Sequence, residues 1–102
     1  MVLLTPDARA LFVWRKFISG DGQTGVNCAV FRNEGAGISS ELIRDAMVLA
    51  WERWPGARLY TYVNPKRIQS SNPGYCFIKA GWNRCGYTKV RRLLILEAHY
   101  GV

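Results

Sequence analysis

Residues 39–54 constrain this 102-residue chain more than any other stretch. Leu42, Ile43, Ala46, Met47, Leu49, Ala50, Trp51 and Trp54 recur there at three- and four-residue intervals. That period winds a wide apolar stripe along a helix, and such a stripe needs another element to cover it. Ser39 is placed as the N-cap, and Glu41 and Asp45 follow early, where carboxylates favour the positive end of the helix dipole. Pro55-Gly56 stops the helix. β-branched and aromatic runs lie on both sides, so the helix reads as the crossover of a β-α-β unit.

LFVWRKFI (residues 11–18) and VNCAVF (26–31), joined by the glycine-rich SGDGQTG, predict an antiparallel hairpin. RLYTYV (58–63) alternates Leu59, Thr61 and Val63 against Tyr60 and Tyr62, the period of a strand, and Asn64-Pro65 closes it. Pro73 and Gly81 bracket a short helix over residues 74–80, and strands over 83–88 and 91–97 end the chain. The predicted architecture is α/β (α+β): one domain over residues 1–102, order β-β-α-β-α-β-β, with helices packed on a partly parallel sheet. Ligands of such sheets collect where loops leave the carboxyl ends of strands.

Fourteen Lys and Arg against seven Asp and Glu give a net charge of +7, a field that draws polyanions. The apolar runs at 47–51 and 93–96 are far shorter than the ~20 residues of a membrane span, and no membrane association is expected. The N-terminal VLLTPDARALF lacks the pattern of a secretory leader. Cys28, Cys76 and Cys85 are odd in number and form no CxxC pair, which predicts a reducing, cytoplasmic setting. With His99 they match zinc in number and type, but they are scattered where structural zinc takes closely spaced ligand pairs, so no metal is expected.

Two constellations carry chemistry. In RNEGAGIS (32–39), Gly35 and Gly37 let the backbone turn tightly between strand and helix, and the first helical amides face outward with partial positive charge. Both a phosphate cradle and a plain strand-to-helix turn fit that string. The second is FIKAGW (77–82).

Together, in this order and spacing, they resemble the GNAT superfamily of N-acetyltransferases. In that family a strand runs through (Arg/Gln)-x-x-Gly-x-(Gly/Ala) into a long helix, and a later short helix ends in a pattern like Tyr-x-Lys-x-Gly-Phe. The resemblance implies a truncated GNAT-like mixed sheet and an acyl-coenzyme A, such as acetyl-coenzyme A, as cofactor. Its diphosphate would rest on the amides of Gly35, Ala36, Gly37, Ile38 and Ser39, with Arg32 in support, and its thioester region would be lined by Asn64, Tyr75 and Cys76. Transfer to an amine needs a base, for which Glu34 is the candidate; a solvated Glu34 paired to Arg32 or Lys66 also fits the residues. The family's tyrosine acid falls on Phe77, which has no proton to give, leaving Tyr75 or Cys76 for that role, and its asparagine falls on Ser70. The family's N-terminal strand and two helices are largely absent, which leaves a second subunit, as in a homodimer, or a larger partner to complete the acceptor wall. Loss of transfer with the fold kept for interaction is the further alternative.

Tyr60, Tyr62, Lys66, Arg67, Asn72, Tyr75, Lys79, Arg84, Tyr87, Lys89, Arg91 and Arg92 mix cations that contact phosphates with rings that stack on bases. Such a surface fits DNA or RNA, or else is simply solvated. The mixture is similar, at the level of fold, to DNA-modification proteins of the Mom type. The strings NCAVFRNEG, RLYTYVNP and NPGYCFIKAGW look like those of small phage-type proteins.

Overall fold

A computed structural model describes residues 1–16, 22–64, 74–89 and 91–101. The expectations placed on Phe17, Ile18, the start of the glycine-rich turn, Lys66, Arg67, Ser70, Asn72 and Pro73 lie outside the described residues.

Six strands form one mixed sheet on which two helices rest. β1 (Val2–Leu4), β2 (Ala10–Lys16) and β3 (Val26–Asn33) precede α1 (Ser39–Arg53); β4 (Leu59–Val63), α2 (Tyr75–Lys79), β5 (Asn83–Tyr87) and β6 (Leu94–Ala98) follow. The sheet order is β1-β2-β3-β4-β6-β5, with β3 and β4 parallel and every other pair antiparallel.

The parallel pair joined through α1, and the β2–β3 hairpin, are as the sequence predicts. β1 was not anticipated, because three residues ahead of Pro6 carry no readable period. A tight turn makes it: Asp7 Oδ1 accepts from Thr5 Oγ1 (2.7 Å) and the Arg9 amide (3.1 Å), and Ala8 takes φ +58°. The last strand begins at Leu94, not Arg91, because residues 91–93 belong to the hairpin turn.

Both helices lie on the face that carries Phe12, Trp14 and Phe31. From α1, the stripe Ile43, Ala46, Met47 and Ala50 is buried, while Leu49 is 39% exposed; the apolar face is narrower than expected. Trp14, fully buried, stacks on Trp82 at 6.2 Å and donates Nε1–H to the Ala46 carbonyl at 3.1 Å. Trp82 in turn donates to Met47 Sδ (3.0 Å) and meets Phe77 of α2 edge-on at 4.9 Å. One aromatic stack thus joins β2, α1 and α2. No helix among the described residues is long and apolar enough to cross a membrane.

Candidate functional site

Asn33, the last residue of β3, builds the loop that leads into α1. Its Oδ1 accepts from the amides of Gly35 (3.2 Å) and Ala36 (2.9 Å), and its Nδ2 donates to the Gly37 carbonyl and Ser39 Oγ, both at 2.9 Å. A short amide side chain here substitutes for backbone partners, as in an Asx turn. The Glu34 amide donates to the Arg9 carbonyl at 2.6 Å. The expected cradle is therefore narrower: the Gly35 and Ala36 amides are spent on Asn33, and the donors left to a ligand are those of Gly37, Ile38 and Ser39. Among the described residues no acceptor meets these three, and the space before the Gly37 Cα is open, with no atom within 4 Å of where a Cβ would stand. Ser39 is not the N-cap. Ile38 holds that position with extended backbone (φ −78°, ψ 121°) and no side-chain cap, since its side chain carries no acceptor, and the Ser39 hydroxyl accepts from Asn33.

The sheet opens beside this loop. β3 and β4 pair only from Val26↔Leu59 to Cys28↔Thr61, and there Thr61 Oγ1 donates to the Cys28 carbonyl at 3.0 Å. Past Cys28 a bulge intervenes: Val13 faces Val30 and Trp14 faces Cys28, so Ala29 is left over. A bulge bends its strand and raises the local twist, and β3 runs on to Asn33 without a register to β4. The result is a wedge at the carboxyl ends of two parallel strands, the end from which residues 34–38 and Asn64 both leave. α2 begins at the same end, for a Cβ on Gly74 would meet Leu96 Cδ1 at 2.5 Å and Val63 Cγ2 at 3.4 Å. Arg32, Glu34, Gly37, Ile38, Ser39, Asn64, Tyr75 and Cys76 are therefore brought to one end of the sheet.

The chemistry available there is limited. Arg32 and Glu34, both about two-thirds exposed (67% and 68%), form an ion pair at 3.4 Å, the pairing that the sequence left open for Glu34. Tyr75 is exposed beneath the Lys79 ammonium, 5.9 Å from its ring. Cys76 packs against the core, and burial pushes its thiol up, so it stays protonated at neutral pH. Cys28, at the head of the wedge, is buried and pushed up to about 12, with its thiol 3.6 Å from the Val30 carbonyl; it is inert. Phe77 is buried against Phe31 (5.9 Å) and Trp82. Two cavities among the described residues lie elsewhere. One of about 230 Å³ runs between β1, β2 and α1, and one of about 390 Å³ lies beside Trp51 and Tyr100.

His99 and Cys85 take no part in this end of the sheet. Arg58, just before β4, donates Nε–H to Glu97 Oε1 (2.7 Å), reaches the Thr24 carbonyl (3.0 Å) and Gln23 Oε1 (2.9 Å), and lies 3.6 Å from Cys85 Sγ. His99 Nε2 approaches Glu97 Oε2 at 3.3 Å. No group of three or more His, Cys, Asp or Glu side chains among the described residues is arranged to hold a metal.

The Arg58 hydrogen bond, aided by His99 and opposed by partial burial, holds the Glu97 carboxyl below its usual value near 4.5. Its contribution to stability is whole above that value and is lost as pH falls through the lowered folded pKa. Wild type should therefore lose more of its urea midpoint than Glu97→Gln between pH 6 and pH 3. Equal losses would show that Glu97 gives the fold no acid dependence.

No family model, curated protein or solved structure matches this chain. Sequence reasoning missed Asn33 and the Ala29 bulge. Asn two residues ahead of Gly is an Asx-turn signal that was readable; the bulge leaves no mark in VNCAVF.

Proposed function

We propose that this chain binds an acyl-coenzyme A at the carboxyl ends of β3 and β4 and passes its acyl group to an amine. The observation that carries the reading is the wedge past Cys28↔Thr61, with the amides of Gly37, Ile38 and Ser39 at its mouth. Main-chain donors at a helix start suit a diphosphate, and an unzipped parallel pair offers backbone groups to an extended, amide-bearing chain. When bound, the thioester supplies an activated acyl carbon. The amine nitrogen attacks that carbon, the C–N bond forms as the C–S bond breaks, and the departing thiolate takes up a proton. Arg32 supports the diphosphate, Asn64 lines the wedge, and Glu34 accepts the amine proton once released from Arg32. Tyr75, or the Cys76 thiol that burial keeps protonated, returns a proton to the thiolate.

Titration calorimetry with acetyl-coenzyme A tests the binding. Gly37→Trp fills the open approach and should weaken affinity at least about tenfold, a loss of about 1.4 kcal/mol, as expected for blocking a charge-assisted contact. Acetyl-pantetheine, which lacks the diphosphate, should bind both proteins alike. No heat at millimolar acetyl-coenzyme A would sink the reading.

A second reading, binding without transfer, is favoured by one observation. At the position where the resemblance calls for a tyrosine, the Phe77 ring is locked between Phe31 and Trp82 and has no proton to offer. Thiol release in the presence of simple amines separates the two: steady release that falls in Tyr75→Phe or Cys76→Ser supports transfer, and none supports binding alone.

A further inference from the structure

We infer that the β5–β6 hairpin grips the phosphate backbone of a nucleic acid. The edge strand β5 presents Arg84 and Tyr87 to solvent, the latter 57% exposed, and the turn that follows presents Lys89, Arg91 and Arg92. Four cations and one aromatic ring thus lie within residues 84–93, a short finger that contains no acidic residue, and no described carboxylate pairs with Lys89, Arg91 or Arg92.

The finger is rigid at its base. The Thr88 amide donates to the Leu93 carbonyl (2.9 Å) and the Leu93 amide to Thr88 Oγ1 (2.9 Å), so the two ends of the turn are tied together. From Arg84 to Tyr87 the strand spans about 10 Å, a length over which duplex DNA carries about six phosphate charges.

Arg92 adds an independent observation. It adopts φ +56°, a left-handed conformation that glycine takes without cost and a long side chain does not. A cation thus stands, at a cost to the fold, where Gly would be easier. The preference for Arg over Lys, three to one, suits phosphate oxygens, which the guanidinium fork meets bidentately. The chain's +7 charge extends the attraction beyond the contact itself. Because Tyr87 pairs with Leu94, and Leu94 with Val63 at the carboxyl end of β4, the finger rises from the end of the sheet that bears the wedge. The inference does not depend on acyl-coenzyme A, and its test contains none.

Fluorescence anisotropy of a labelled 20-base-pair duplex, titrated from 50 to 200 mM salt, provides the test. Two triple variants share a net charge of +4: the finger variant Lys89→Ala/Arg91→Ala/Arg92→Gly, and a control, Arg9→Ala/Lys16→Ala/Arg53→Ala, whose residues lie in the β1–β2 turn, on β2 and on α1. Wild type should bind with an affinity that falls steeply with salt. The finger variant should lose at least about tenfold in affinity, and its log–log salt slope should shrink by about 2–3, close to one phosphate contact per cation removed. The control should lose no more than about threefold. Arg92→Gly alone guards against misfolding: its Tm should not fall, since strain is relieved, while its slope drops by about 1. Equal losses in both triple variants, no complex at 50 mM salt, or binding to phosphatidylserine vesicles without binding to the duplex would each overturn the inference.

Discussion

Trp14→Ala should cost about 3–5 kcal/mol and lower Tm by more than about 12 °C, since each kcal/mol moves Tm by about 4–8 °C in a chain this size. The size follows from position: the indole is fully buried, lies 4.6 Å from Phe12 and 6.2 Å from Trp82, and is the link by which β2 holds both helices. Its removal leaves a cavity that Phe12 and Trp82 cannot both close. Trp14→Phe retains the ring contact and gives up the Nε1–H bond to Ala46, so it should cost only about 1–2 kcal/mol. Urea unfolding read by tryptophan fluorescence and far-ultraviolet dichroism measures both. A loss below about 1 kcal/mol in Trp14→Ala would show that the stack is not what joins sheet to helices.

Gly25→Ala should destabilise by about 3 kcal/mol, although it adds one methyl group at the surface end of a strand. Gly25 takes φ +120°, and a Cβ there would stand 2.3 Å from the Arg58 carbonyl oxygen. That oxygen cannot retreat freely. It accepts the Val26 amide at 2.8 Å, the bond that starts the parallel register, and Arg58 is pinned by Glu97, Thr24 and Gln23. Gly56→Ala is the comparison: φ is also positive at +72°, but the space is open, so the cost should stay near about 1 kcal/mol, the backbone penalty alone. Because the register at residues 26–28 fixes where β3 and β4 part, Gly25→Ala should also alter amide exchange at the far end of β3. Similar losses in the two variants would remove the clash as the cause.

Much of this was legible before any coordinates, and for a physical reason. The α1 period, the Pro55-Gly56 stop, the alternation in RLYTYV and the glycines of the first turn all act between near neighbours, and near neighbours are what a sequence displays. The cations between Arg84 and Arg92 were visible in the same way, as part of the basic and aromatic mixture that runs from Tyr60 to Arg92. Where the reading failed, the cause was distant. Val2–Leu4 becomes a strand only because Leu11, Phe12 and Val13 offer it an edge. Tyr60, placed by alternation on the face opposite Leu59, is as fully buried as Leu59 itself. Leu49, counted with the apolar stripe, lies at its edge and stays exposed.

The same division runs through the candidate site. Glycines at 35 and 37 announced a tight turn into a helix. They did not by themselves reveal that Asn33 would take the first two amides, a local Asx turn that the Asn two residues ahead of Gly35 signals. Nor did any local feature announce the wedge, which arises because a bulge opposite Trp14 turns β3 away just as its pairing with β4 ends. What the sequence alone determined was the elements other than β1, their polarity and the sign of the net charge, all set by side-chain chemistry at short range. Where two strands part and which end of the sheet gathers the polar groups were decided by tertiary structure, because each depends on residues brought together only when the core closes.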